Sequence, residues 1–69
     1  MKYNYSKLLG KIRERGLTQE QLAKAIGRNK STISLKLNNN GSFTQEMIDD
    51  ICRVLDIPNT EIGEYFFTQ

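Results

Sequence analysis

Lys30, Ser31 and Thr32 open the second half of the stretch "AIGRNKSTISLKL" (residues 25–37), and a bare Leu35 follows among small polar residues. A cation, hydroxyls and free backbone amides at the start of a helix attract phosphate, which the positive end of the helix dipole reinforces. A short protruding helix also fits the major groove of DNA. This is recognition chemistry. Covalent chemistry finds little support, because the chain has no histidine and a single cysteine, Cys52. A histidine-based acid–base or zinc site is excluded, and thiolate zinc sites fail with it. No carboxylate pair, thiol–base pair or glycine-rich phosphate loop is visible. The expectation is therefore a protein that is not an enzyme and holds no cofactor and no metal.

The elements that must position these residues read as helices throughout, since no stretch alternates apolar and polar residues convincingly. Tyr5, Leu8, Leu9 and Ile12 fall on one stripe of a first helix, which starts near Asn4 or Ser6, either able to cap, and stops at Gly16. Thr18 and Gln21 form a capping box for the second helix, with Leu17 and Leu22 placed as a hydrophobic staple. That helix turns Leu22, Ala23 and Ile26 inward and stops at Gly27. Asn29 caps the third helix, whose buried side carries Ile33 and Leu37. "NNNG" at residues 38–41 is a turn. Phe43, Thr44 and Ile48 repeat the staple and cap for a fourth helix with an inward stripe of Ile48, Ile51, Cys52 and Leu55. Ile57-Pro58-Asn59 ends it and caps a short fifth turn. Cys52, in mid-stripe, reads as a small buried apolar residue.

The 69 residues make one domain. A lone cysteine cannot staple it and fits a reducing cytosol. The start "MKYNYSKLLGKI" lacks the continuous apolar run of a signal peptide, and no segment approaches a membrane span. Net charge is only +2, but residues 1–42 carry nine cations against two acids and residues 43–69 one cation against six acids. A basic front suits a polyanion, and an acidic back is repelled from it.

A short helix, a tight turn at Gly27 and a second short helix make a helix-turn-helix over residues 18–38. "TQEQLAKAIGRNKSTISLKLN" resembles the helix-turn-helix of the phage Cro and repressor (Xre-type) family, and the similarity extends from about Tyr5 to Ile57. The closing stretch from Ser31 to Phe67 is similar, more narrowly, to small Cro-like phage regulators. The resemblance implies an all-α bundle of about five short helices, a lambda-repressor-like DNA-binding domain, often dimeric. It implies a sequence-specific regulator acting in the bacterial cytoplasm, with the third helix in the major groove of a pseudo-palindromic operator on double-stranded DNA. Two homodimer-related helices would then lie about 34 Å apart. Two positions depart from the family. An arginine–glutamate pair beneath the motif is replaced by Ile12 and Leu37, expected to meet as an apolar contact. Lys36 stands where the family often has an apolar residue.

By the same resemblance, Lys30, Ser31, Ser34 and Leu35 face the bases: Lys30 toward guanine, the serines as permissive donors or acceptors, and Leu35 on a thymine methyl. Gln19, Asn29, Thr32 and Asn38 fall at phosphate-gripping positions, and Lys24, Arg28 and Lys36 add sequence-independent attraction. Asn39 and Asn40 make the turn. The tail at residues 61–69 carries Ile62, Tyr65, Phe66 and Phe67. It either folds back, with Ile62 and Phe66 inside and Tyr65 or Phe67 exposed, or forms a dimer or partner surface. Leu35 and this tail keep a second function open: an antirepressor or modulator that acts by binding a partner phage repressor.

Overall fold

The helices of the computed structural model, which describes residues 2–69, begin and end where side chains or backbone bends replace missing main-chain partners. They are α1 (Ser6–Glu14), α2 (Gln19–Ala25), α3 (Lys30–Leu37), α4 (Gln45–Leu55) and α5 (Ile62–Phe66), with a 3-10 turn at Asn59–Glu61 leading directly into α5. No strand occurs among the described residues, so the fold is an all-α bundle.

The caps fall at the expected residues. Thr18 Oγ1 accepts from the Gln21 amide at 3.1 Å while Gln21 Oε1 accepts from the Thr18 amide at 2.9 Å, a complete capping box. Asn29 Oδ1 accepts the Thr32 amide at 2.9 Å, and Thr44 Oγ1 accepts the Met47 amide at 3.2 Å. Each such cap is worth about 1 kcal/mol. α1 is entered differently: Tyr5 takes the cap position without a side-chain bond, and Asn4 Oδ1 accepts the Ser6 amide at 2.9 Å.

Four helices stop in the same way. Gly16, Gly27, Asn39 and Asp56 are left-handed, at φ of 74°, 73°, 64° and 57°. After each, the next amide reaches back five residues to a carbonyl: Leu17 to Ile12 at 3.1 Å, Arg28 to Ala23 at 2.8 Å, Asn40 to Leu35 at 2.8 Å and Ile57 to Cys52 at 2.9 Å. Glycine adopts this conformation without a Cβ clash, whereas asparagine and aspartate tolerate it at some cost.

One core gathers the inward faces of all five helices. Leu8, Ile33, Ile51 and Leu55 are wholly buried, and Met47 joins the expected stripe of α4. Ile12 and Leu37 are both in this core, 3% and 9% exposed. Leu9, expected on the buried stripe of α1, is only half-buried.

The tail differs in detail from expectation. It folds back, but Tyr65 is buried with Phe66, Ile62 is half-buried and Phe67 is exposed. Tyr65 is covered by lysines of α1, with Lys7 Nζ at 4.9 Å and Lys11 Nζ at 6.0 Å from its ring centre, contacts that a sequence pattern does not reveal. Within Ile57-Pro58-Asn59 it is Pro58 that holds the cap position of the fifth turn, with no side-chain bond. The remaining aromatics form a chain of edge and tilted contacts, Phe67–Tyr3–Tyr5–Phe43–Phe66, with centres 5.4–6.3 Å apart. The backbone at Asn4 and at Thr68 is joined directly, since the Asn4 amide donates to the Thr68 carbonyl at 2.6 Å.

Candidate recognition surface

Gly27 ends α2 and Asn29 restarts the chain as α3, so the helix pair spans the expected residues. Ala23 of α2, Ile26 at its C-terminal cap and Ile33 of α3 are buried where the pair meets the core. The opposite side of α3 is open. Lys30, Ser31, Ser34 and Leu35 line a single hollow of about 490 Å³ there, so the four residues expected to face bases are brought together. Leu35 is 53% exposed, an unusual position for a large apolar side chain.

The seven positions expected to meet phosphate behave differently from one another. Asn29 and Thr32 are engaged with each other: both the amide and the hydroxyl of Thr32 donate to Asn29 Oδ1, each at 2.9 Å. Asn38 Nδ2 donates to the Ser34 carbonyl at 2.9 Å and so closes the other end of α3. These three side chains therefore have structural duties within the helix. Gln19 is half-buried at the start of α2, and Lys36 is half-buried. Lys24 is exposed with no ion pair among the described residues, whereas Arg28 lies 3.9 Å from Glu46, a long and exposed pair that contributes little.

Asn39 does more than make the turn. Its Oδ1 accepts the Tyr3 amide at 2.8 Å and its Nδ2 donates to the Tyr3 carbonyl at 2.9 Å, which ties the amino-terminal segment to the end of α3. A left-handed asparagine is legible as a helix stop, but a partner 36 residues away leaves no local signal. Arg13, assigned no role from the sequence, borders a second hollow between α1 and α2 together with Leu9 and Leu17, which the sequence assigned only to packing.

Titration behaviour adds no reactive group. Burial, and then the charge of Asp49, pushes the Cys52 thiol above its usual range, which disfavours the nucleophilic thiolate. Burial likewise raises the Tyr5 phenol, with Tyr3 adding to it. On α1 the Lys11 ammonium is raised chiefly by its 2.8 Å hydrogen bond to Glu14, and the Glu14 carboxyl is lowered by the same bond. No helix among the described residues is long and apolar enough to cross a membrane.

With this geometry in hand, the chain is similar to the modulator of repression (MOR) of the temperate bacteriophage TP901-1 from Lactococcus lactis, known from its solution structure. The two are 42% identical and superpose with a TM-score of 0.82, covering 97% of this chain and 90% of that one. A comparison with curated proteins found no match. Residues 1–69 match the family described as "Protein of unknown function (DUF739)", and the chain belongs to that family.

Proposed function

We propose that the chain is a phage-type modulator of repression that acts by binding a partner repressor protein. The observation that carries this reading is the full-length likeness, at 42% identity, to a phage protein whose name states that it modulates repression. The surface is consistent with a protein partner: Leu35 and Phe67, 53% and 51% exposed, are large apolar side chains held in water. Catalysis has no part in this reading.

The hollow over Lys30, Ser31, Ser34 and Leu35 favours a second reading, in which α3 enters the major groove of an operator as a Cro-like repressor, alone or as a homodimer. Lys24 and Lys36 would then supply phosphate attraction. The two readings separate in a gel-shift experiment on the promoter region beside the gene, with and without the repressor encoded there. The modulator reading expects no sequence-specific shift by the chain alone, and a lost or altered shift when it is added to the repressor. A specific shift by the chain alone, with the repressor's own shift unaffected, would establish the Cro-like reading instead.

A further inference from the structure

Three surface hollows share lining residues and so lie in a row, a furrow that runs from α1 to α3. The first, about 290 Å³, lies over Leu9, Ile12, Arg13 and Leu17 and ends at Thr18 and Gln19. Those two residues also open the second, which runs past Glu20 to Lys30. Lys30 in turn opens the third, along Ser31, Ser34 and Leu35. The furrow therefore has an apolar station at each end, half-buried Leu9 and Leu17 at one and exposed Leu35 at the other. A cation stands beside each station. Arg13 and Lys30, like Lys2, Lys24 and Lys36, take part in no ion pair among the described residues, whereas Lys7, Lys11, Arg15, Arg28 and Arg53 all do.

We propose that this furrow seats a short acidic and apolar segment of the partner repressor, an assignment that rests on the modulator reading. One apolar side chain of the segment covers Leu9 and Leu17, a second covers Leu35, and a carboxylate faces each of Arg13 and Lys30. The charge match selects the sign of the partner, since two cations free of internal pairing attract anions and steer their approach. The leucines select its class. A DNA backbone would use the cations but gain nothing from apolar side chains at the Leu9–Leu17 end, where only phosphate and sugar could reach. Glu20, in the middle section, repels carboxylates there and so confines them to the two ends.

The test is calorimetric titration of the full chain with the repressor encoded beside it, at fixed salt. Arg13 and Lys30 are exposed, so the charge-reversed double variant Arg13→Glu with Lys30→Glu should keep the fold, which circular dichroism checks. It should bind roughly tenfold or more weakly, as expected for removing and reversing close charge pairs. Arg13→Lys with Lys30→Arg should retain binding, and Glu20→Gln should retain or tighten it. Leu35→Ser should weaken it. Undiminished binding by the charge-reversed variant would overturn the furrow while leaving the modulator reading intact. Weakened binding by Glu20→Gln would overturn the acidic character of the segment. No binding by the wild type would remove both proposals. Tight binding of the wild type to a DNA duplex without repressor, lost in the same double variant, would assign the furrow to nucleic acid and overturn it.

Discussion

Ile12 and Leu37 are both buried in the core, where apolar side chains need no desolvated charge and leave none behind if one is lost. Truncation still leaves a cavity. Leu37→Ala is expected to lower unfolding free energy by about 2–5 kcal/mol, read from urea denaturation monitored by circular dichroism. Glu14 behaves in the opposite manner, since it is fully exposed and held by Lys11 at 2.8 Å. Its folded pKa is depressed, so its contribution is present above the ordinary carboxylate range and is lost as pH falls through the depressed value. Glu14→Gln should therefore flatten the pH–stability profile on the acid side alone; an unchanged acid limb would show that the pair contributes nothing measurable. Cys52 was legible as a buried apolar residue because its place in the stripe of α4 fixes its environment, and the raised thiol follows from that place.

At the scale of the element, Asn39 and Asp56 share one backbone conformation and should respond to glycine with opposite signs. Asp56 is exposed, and its ion pair with Arg15 is long at 3.7 Å. Asp56→Gly relieves a left-handed side chain and should stabilise by roughly 1 kcal/mol. Asn39→Gly relieves the same strain but removes both hydrogen bonds to Tyr3, so it should destabilise by about 1 kcal/mol and speed exchange of the Tyr3 amide. Thermal melts of the two variants, with hydrogen exchange for the second, check the pair. The same residues mark the limit of what the chain discloses by pattern. Caps at Thr18, Asn29 and Thr44 and stops at Gly16 and Gly27 are local events, written in residues a few positions apart. The stop at Asp56, the tie from Asn39 to Tyr3 and the burial of Tyr65 under Lys7 and Lys11 were not legible. The last two depend on distant segments meeting. The four residues over α3 were legible as a group through the family resemblance, with which helical spacing agrees; the furrow beyond them was not, since it needs the relative placement of α1 and α2.

Across the whole molecule the division of charge along the chain is partly undone by folding. Lys7, Arg15 and Arg28 of the basic front pair with Glu64, Asp56 and Glu46 of the acidic back, at 3.2, 3.7 and 3.9 Å. These exposed pairs add little stability, but they decide which cations remain uncompensated. Lys2, Arg13, Lys24, Lys30 and Lys36 carry no ion pair among the described residues, and three of them, Lys24, Lys30 and Lys36, lie on α2 and α3. On α4, Asp49 and Asp50 bond to Gln45 and Arg53 of their own helix. Asp49→Asn with Asp50→Asn should therefore leave repressor affinity unchanged and raise only sequence-blind attraction to DNA, measured by fluorescence anisotropy on a scrambled duplex across a salt series. The hydrogen bond between Asn4 and Thr68 has a consequence of another kind. It closes the segment from Asn4 to Thr68 into a ring with a single seam. A short linker could seal that seam with little loop-closure entropy to overcome. For the same reason the whole globule could be spliced into a surface loop of a host protein, both junctions leaving from one spot.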